Sequence, residues 1–405
     1  MKPRPDVISV CVVLIFLNCH YVNDAKAADC NRPTPQPITH VELPANPFEP
    51  IPTNDGCWIF VSLARTQSEP GRIAVLRRHN GNVSIVRTVS VEDSPAGMVM
   101  THDGKILIVA VGESVAFLDS QRLISGSSSP VLRYWTDGTG NAGHVYVNVT
   151  SNDEYLFVSD EGAGTITVTN LARARASSFS NDFAVGKIPV GVAPIALTFS
   201  PDERYLYTTS QVMRDSGWPV ECRPEANQQA PPDHPQGAIL VVDVSLAKTQ
   251  PSKSVVATVK AGCNPVRLVI SPKGEIAYVT ARGDHSLLAF DTKRLLRDST
   301  HALIARVPVG TAPVGVEVIE HGHKVVVTNS NRFAGGADDR QTLVVLNASK
   351  VAAGAAAILG TIPAGGFPRE IRLTPDRLTL LLTNFTSRTL ELIDLQRLPL
   401  QPAGR

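Results

Sequence analysis

The sequence predicts an all-β fold, a seven-bladed β-propeller of four-stranded blades that is closed by an N-terminal strand. Three observations lead to it: a repeated phrase, a constant spacing inside the phrase, and period-two alternation of apolar residues. The copies start at Pro47, Pro95, His144, Pro194, Pro265, Pro313 and Pro368. In each copy a turn position follows eight residues later, and a second apolar run ends eight residues after that. Seven copies of one unit predict seven blades.

Each copy supplies the strands of one blade. A third apolar run closes on Asp or Asn, as in SLLAFDT and TLELIDL, and a fourth follows, as in SVVATVKA. Runs with this alternation, bounded by Asp, Gly, Asn and Pro, are typical of strands and turns. Such a unit buries its faces only against its neighbours, so we expect the core to form when the ring closes.

The sequence also predicts how the ring closes. The last copy contains only three strands, and the segment PITHVELP before Pro47 is an additional strand that belongs to no other copy. We expect Ile38 to Leu43 to complete the seventh blade and so to cover an edge strand. The predicted propeller domain spans residues 38–398, and a lead of residues 28–37 precedes it.

The N-terminus predicts export. Lys2 and Arg4 precede an apolar run, and a small-x-small stop lies at Ala25 to Ala27, so residues 1–27 are interpreted as a signal peptide. The run is shorter than the roughly 20 apolar residues of a membrane span. We expect a monomer in the periplasm or outside the cell, without membrane insertion. The net charge of +1 indicates no global field that would recruit nucleic acid.

Four cysteines remain after the signal peptide: Cys30, Cys57, Cys222 and Cys263. In an oxidising compartment, two disulfides are expected rather than a zinc site, because no two cysteines have the close spacing of zinc ligands. Four cysteines allow three pairings. The loops between second and third strands and those between blades share one face, here called the top face. Cys222 and Cys263 fall on it and the other two on the opposite face, which favours Cys222–Cys263 and Cys30–Cys57.

The segments IAYVTARGDHSLLAFDT, VVVTNSN, LLLTNFTSRTLELIDL and YLFVSDEGAGTITVTNL resemble the YVTN-type repeat of the bacterial YncE-like propellers. That family is related to the 6-phosphogluconolactonase-like lactonase propellers, and the resemblance covers residues 38–395. It implies a periplasmic or surface protein with a binding role, which in some members includes single-stranded DNA. It transfers no catalytic residue, because the repeat records blade packing.

No motif that assigns a reaction is present: G-x-S-x-G, H-E-x-x-H, C-x-x-C and the Walker glycine loop are all missing. The three longest loops, within ARTQSEPG, QVMRDSGWPVECRPEANQQAPPDHPQG and NSNRFAGGADDR, project from the top face. Long loops on a rigid scaffold commonly serve binding. We therefore expect a binding or scaffold module, for a macromolecule or a small polar ligand; the alternative is a lactonase-like hydrolase at the channel mouth.

The second position after each start is expected to point into the central channel. It holds Glu49, Gly97, Tyr146, Ala196, Arg267, Gly315 and Glu370. One interpretation makes Arg267 an anion clamp and Glu49 or Glu370 an acid, base or metal ligand. The other is an internal salt bridge that closes a narrow channel. His144 is either a proton-transfer group or a hydrogen-bonded turn residue. Glu49, Glu370 and His144 are the catalytic candidates.

Further polar residues are expected on the top face. The ligand-binding candidates there are Arg282, Asn329 and Arg369, although Asn at the end of a strand also stabilises turns. No cofactor is predicted; calcium would need Glu49, Glu370, Asp160 and Asn329 to converge. Single-stranded DNA would need a basic groove with stacking aromatics. The residues considered for it are Arg65, Arg214, Arg282, Arg332, Arg369 and Arg388 with Trp218 and Phe333, diluted by Glu161, Asp284, Asp338 and Asp339.

Overall fold

A computed structural model of the chain confirms the seven-bladed β-propeller. It describes residues 30, 32–138, 143–180, 182–213, 218, 220–223, 229–232, 234–332 and 341–402. The expected signal peptide, Arg214, Phe333, Asp338 and Asp339 lie outside the described residues. The inner strands of successive blades contact one another around a central channel. No helix in the described ranges has the length and hydropathy needed to cross a membrane.

Each blade is an antiparallel sheet, and in blades 1 to 6 the strands follow chain order from the channel outwards. Blade 1 contains Pro47–Pro52, Trp58–Leu63, Arg72–His79 and Asn82–Ser90. Blade 2 contains Pro95–Met100, Ile106–Val111, Ser114–Asp119 and Val131–Trp135. Blade 3 contains His144–Val149, Tyr155–Asp160, Thr165–Asn170 and Ala184–Pro189.

Blade 4 has an inner strand in two pieces, and its long insertion carries a small hairpin. Its strands are Val192–Pro194 with Thr198–Phe199, Tyr205–Val212, Ala238–Asp243 and Val255–Lys260, and the hairpin pairs Val220–Cys222 with His234–Pro235. Blade 5 contains Pro265–Ile270, Ile276–Ala281, Ser286–Asp291 and Leu303–Pro308. Blade 6 contains Pro313–Ile319, Lys324–Asn329, Thr342–Asn347 and Ile358–Pro363.

Blade 7 confirms the predicted closure. Its first three strands are Pro368–Leu373, Thr379–Asn384 and Thr389–Asp394, and the N-terminal strand Ile38–Glu42 forms the fourth. The pairing runs from Ile38 opposite Ile393 to Glu42 opposite Thr389. The first and last strands that the structure describes therefore belong to one sheet.

Both predicted disulfides are present, Cys30–Cys57 and Cys222–Cys263. The first ties the segment before the closing strand to blade 1. The second joins the insertion of blade 4 to the connection between blades 4 and 5. Of the three possible pairings, the structure has the one that the shared loop faces favour.

Short helices follow the third strand in four blades: Ser120–Ser125, Leu171–Ala176, Val244–Ala247 and Thr292–Arg297. Short 3-10 segments are Pro251–Lys253, Arg282–Asp284, Ser299–His301, Glu320–Gly322, Ala348–Ala357 and Leu395–Arg397. The Asp or Asn that closes the third run is the N-cap of the helix. In blade 5, for example, the Asp291 carboxylate accepts from the Arg294 backbone N–H at 3.0 Å. This satisfies a donor that the first helical turn leaves free.

Apolar side chains fill the gaps between blades. Among the described residues they form seven clusters, and each one spans neighbouring blades. Leu381 of blade 7 and Val61 of blade 1, for example, share one cluster. Burying these faces requires both neighbours, as the repeat pattern predicted.

A bulge near the start of the inner strand recurs around the ring. In blade 5, Pro265 pairs with Ala281 and Leu268 with Val279, so Val266 and Arg267 together face Thr280. A bulge removes a backbone N–H from the ladder. Here the Thr280 hydroxyl accepts from the Arg267 N–H at 3.0 Å. The described part contains the same contact at the N–H groups of Glu49, Tyr146, Ala196, Gly315 and Glu370.

The same hydroxyl also joins one blade to the next. Thr280 Oγ1 donates to the Val314 carbonyl of blade 6 at 2.7 Å. Ser62, Thr209 and Thr383 donate in the same way to the inner strands that follow them. The Ser or Thr near the end of the second run therefore satisfies the bulge and links neighbouring blades.

Candidate functional site

Three buried side chains form the centre of the channel: Arg267, Tyr146 and Glu370, together called the central network. Arg267 Nε donates to Glu370 Oε1 at 2.8 Å, and its Nη2 donates to both Glu370 and the Tyr146 hydroxyl. The Tyr146 hydroxyl in turn donates to Glu370. The guanidinium carbon lies 4.1 Å from the centroid of the Tyr146 ring. Residues from three blades therefore meet in one charge-matched cluster.

The ionisation states in the central network follow from these contacts. Burial alone would raise the pKa of Glu370, but the paired Arg267 guanidinium holds that pKa below its ordinary value. Burial opposes the charge of Arg267, and Glu370 outweighs it by raising the pKa of the guanidinium. Burial raises the pKa of Tyr146 well above its usual range. Glu370 and Arg267 are thus charged at pH 7, and Tyr146 is a neutral donor.

A second ion pair lies below the central network. Arg372 donates to Glu49 Oε1, and the Met98 backbone N–H donates to Oε2 at 2.6 Å. Burial raises the pKa of Glu49, although Arg372 partly offsets the effect. The Arg372 side chain keeps 38% of its surface accessible because it faces a cavity of about 280 Å³, the lower cavity. Glu317 lines the same cavity, and burial raises its pKa.

A separate cavity of about 210 Å³ opens among the top-face loops, and we call it the arginine cavity. Its lining residues are Val145, Glu161, Ile195, Gln211, Val266, Arg267, Arg282, Val314, Arg332, Phe367 and Arg369. Four guanidinium groups thus border one small space. Arg267 also lines the lower cavity, so the central network lies between the two cavities.

Arg369 is held by aromatic rings. Its guanidinium carbon lies 3.8 Å from the ring centroid of Phe48, 5.3 Å from that of Phe385 and 5.5 Å from that of Phe367. Its Nε is buried without a hydrogen-bond partner in the described part of the chain. Burial lowers the pKa of Arg369 to about 10. The group remains charged at pH 7 and is stabilised mainly by cation–π contacts.

The other arginines are held differently. Arg282 donates to Gln211 Oε1 at 2.8 Å, and the Gln211 amide donates to Glu161 at 3.1 Å. This chain of side chains connects blades 3, 4 and 5 along the rim. The exposed Arg332 has its guanidinium carbon 5.9 Å from the Phe367 ring centroid.

The bulge decides which residues reach the arginine cavity. From the repeat spacing, only the side chain at the second position after each start is expected to point into the channel. Because two residues oppose one at a bulge, the first position also reaches it, bringing Val145, Ile195, Val266, Val314 and Arg369 to the cavity wall. The recurring Ser or Thr near the end of the second strand is the sequence feature that could have indicated the bulge. No feature of the repeat indicates that the fourth position faces the channel, so Arg372 and Glu317 were not among the predicted site residues.

Two candidates lie away from both cavities. The Asn329 amide donates to the Val309 carbonyl at 2.8 Å and to Thr342 at 3.3 Å, so it stabilises a connection between strands. His144 is buried, and its ring nitrogens have no hydrogen-bond partner among the described residues. Burial lowers its pKa. The structure does not bring His144 together with Glu49 or Glu370 in either cavity lining.

In the described ranges, no group of three or more His, Cys, Asp or Glu side chains could hold a metal ion. Glu49 and Glu370 are each paired with an arginine, and Asp160 accepts from the Ala163 N–H of its own blade at 3.0 Å. The carboxylates considered for calcium thus have partners within the protein.

The fold and the cavity define a class: a seven-bladed β-propeller with an arginine-lined cavity on its top face. No protein-family model matches the chain, and no curated protein matches it. Several solved structures match the chain. Hydrazine synthase of Kuenenia stuttgartiensis has 17% identity and a TM-score of 0.64, over 88% of this chain and 97% of that one.

Two further structures are similar. A chain of a mitotic checkpoint complex has 13% identity and a TM-score of 0.62, over 88% of this chain and 93% of that one. The Cps50 (Swd1) β-propeller domain of Myceliophteria thermophila has 10% identity and a TM-score of 0.60, over 87% of this chain and 97% of that one. At these identities the likeness shows the propeller fold.

Proposed function

We propose that the protein is a binding module whose arginine cavity recognises an anionic group of its ligand or partner. The observation that carries the proposal is the convergence of Arg267, Arg282, Arg332 and Arg369 on one cavity. Among the described lining residues Glu161 is the only carboxylate, and Glu370 is paired with Arg267. The described part of the cavity wall therefore carries an excess of positive charge.

An anion would relieve an unfavourable arrangement. Neighbouring guanidinium groups repel each other, and Arg267 and Arg332 both contribute to lowering the pKa of Arg369, after burial. A bound carboxylate or phosphate reverses this, since its hydrogen bonds to guanidinium groups are charge-assisted. In a partly enclosed cavity, such an attraction is stronger than at an open surface.

The surrounding loops suit a binding face. The insertion of blade 4 begins beside Gln211 in the cavity wall, and the Cys222–Cys263 disulfide ties it down. Loops held on a rigid scaffold are common binding elements. One similar structure, the mitotic checkpoint complex, is by its name a protein assembly, which agrees with a propeller that binds a partner.

We further propose that the mature protein is a YncE-like propeller located in the periplasm or outside the cell. The resemblance of its repeats and the N-terminal signal pattern support this location. Two disulfides are compatible with an oxidising compartment. Cell fractionation and the mass of the mature chain test this part: we expect cleavage near Ala27 and export.

No observation in the described part of the structure specifically favours the alternative of a lactonase-like hydrolase. A lactonase would need a carboxylate or histidine free to take a proton from water. Glu370 holds Arg267 and Tyr146, Glu49 holds Arg372, and His144 lies outside both cavity linings. We therefore propose binding rather than hydrolysis.

Thermal unfolding with sulfate, phosphate or acetate against chloride, at constant ionic strength, tests the proposal. A ligand that binds only the folded state raises the melting temperature. We expect at least one anion to do so, and Arg369→Met to weaken its binding at least tenfold. Arg133→Met, which removes an exposed arginine from the outer strand of blade 2, is the matched control. If no anion stabilises the protein beyond chloride, the proposal is wrong.

A further inference from the structure

We infer that the ligand of the arginine cavity is a small amphipathic carboxylate, with one anionic head and a compact apolar body. This inference rests on the proposed function and adds the chemical class of the ligand. Three features of the cavity carry it: an aliphatic wall, a small volume, and Arg369, whose Nε has no hydrogen-bond partner among the described residues.

The aliphatic wall comes from the bulge. In blades 3 to 6, the first position after each start holds Val145, Ile195, Val266 and Val314. All four residues line the cavity, and Ile195, Val266 and Val314 belong with Phe367 to one apolar cluster against which Val145 packs. A strongly hydrated anion such as phosphate would have to lose water against these side chains without gaining hydrogen bonds there. An alkyl or aryl group would instead gain free energy by leaving water.

The volume limits the ligand. A cavity of about 210 Å³ equals the liquid volume of roughly seven water molecules, enough for a ligand of roughly seven to ten non-hydrogen atoms. Hexanoate and benzoate are of this size. A whole nucleotide is not, so single-stranded DNA could place no more than one phosphate in the cavity.

The head group follows from Arg369. The rings of Phe48, Phe367 and Phe385 lie around its guanidinium, and its buried Nε has no hydrogen-bond partner among the described residues. Arg267 is already matched by Glu370, and Arg282 donates to Gln211. Among the three arginines of the wall that are not exposed, Arg369 is therefore the one with no polar partner for its charge in the described part of the chain, and a single carboxylate accepts two parallel N–H bonds from a guanidinium.

The experiment is calorimetric titration of the full chain with acetate, butanoate, hexanoate and benzoate, compared with phosphate, succinate and a ten-nucleotide oligo-thymidine. We expect the dissociation constant to fall about fourfold for each added methylene until the cavity is filled. Arg369→Met should weaken every carboxylate at least tenfold and leave this chain-length trend unchanged. Val266→Thr, which keeps the shape of the side chain, should weaken hexanoate but not acetate.

A second cavity variant and a control accompany these titrations. Arg332 lies on the exposed rim of the cavity, so Arg332→Met should fold even if Arg369→Met does not, and it should weaken each carboxylate about threefold. Arg133→Met should change nothing.

The outcomes separate the two proposals. If phosphate, succinate or the oligonucleotide binds more tightly than hexanoate and Arg369→Met still weakens it, the anion site stands and the amphipathic class is wrong. If carboxylates bind but neither Arg369→Met nor Val266→Thr matters, they occupy another surface and the inference fails. If nothing binds, the proposed function itself fails.

Discussion

Arg267 lies inside the ring of blades, where protein groups rather than water must compensate its charge. Glu370 supplies the counter-charge, and Tyr146 supplies a hydroxyl and a ring face. A buried ion pair adds little net stability when it is complete, because desolvation offsets the attraction. Removing one partner is costly, since the other charge stays buried.

At the residue scale, we therefore predict that Arg267→Met lowers the free energy of unfolding by about 3 to 5 kcal/mol at pH 7. The double variant Arg267→Met with Glu370→Met should recover most of the loss, because no unpaired carboxylate remains. Urea denaturation of the four proteins in this cycle measures both values. A double variant no more stable than the single one would contradict the assignment.

The pH dependence of the same variants has a definite sign. In the wild type the pKa of Glu370 is held below its ordinary value of 4.5, so the ion pair stabilises the protein above that pH. Its contribution is lost as the pH falls through the lowered pKa. Without Arg267, burial dominates and raises the pKa of Glu370, so mild acid should stabilise Arg267→Met relative to neutral pH.

At the element scale, one hydroxyl joins the inner strand to the second strand in six of the seven blades, and blade 2 has Ala110 at that position. Thr280 accepts from the bulge N–H of Arg267 and donates to Val314 of the next blade. Its replacement by the isosteric valine leaves two buried backbone groups unsatisfied.

We predict that Thr280→Val lowers the free energy of unfolding by about 1 to 3 kcal/mol. Thr258→Val is the matched control, because Thr258 is exposed on the outer strand of blade 4. Chemical denaturation measures the free energy of unfolding of both variants relative to the wild type. Equal losses would mean that the change reflects the threonine-to-valine substitution and not the bulge.

At the scale of the whole molecule, stability depends on holding the closing strand and blade 1 against blade 7. The strand Ile38–Glu42 pairs with blade 7, Thr383 donates to Phe48 across the closure, and Cys30–Cys57 ties the preceding segment to blade 1. Arg397 adds hydrogen bonds to the carbonyls of Thr34 and Pro35. Without the closing strand, the outer edge of blade 7 would be unpaired.

We predict that Cys30→Ser with Cys57→Ser destabilises the fold by about 3 kcal/mol, because the unfolded chain is no longer restricted. The closing strand should also become more sensitive to limited proteolysis. Cys222→Ser with Cys263→Ser is the comparison: it frees the blade 4 insertion and should leave the closing strand protected. If both pairs of substitutions expose that strand equally, the proposed role of Cys30–Cys57 in closure is wrong.

The sequence by itself determined the number of blades, the closing strand and both disulfide pairings. The blades and the closing strand follow from the local alternation and the constant spacing, which occur in all seven copies of the repeat. The disulfide pairings follow from the face of the propeller on which each loop lies. It also named Glu49, Tyr146, Arg267 and Glu370 as residues that point inward.

Only the tertiary structure decided how these residues pair. Arg267 and Glu370 are 103 positions apart, and Tyr146 and Glu370 are 224 apart, so no local pattern relates them. The bulge turned the first position towards the cavity, and the fourth position brought Arg372 to Glu49. Strand periodicity is a property of neighbouring residues, whereas charge matching in a closed ring depends on distances across the channel that exist only after closure.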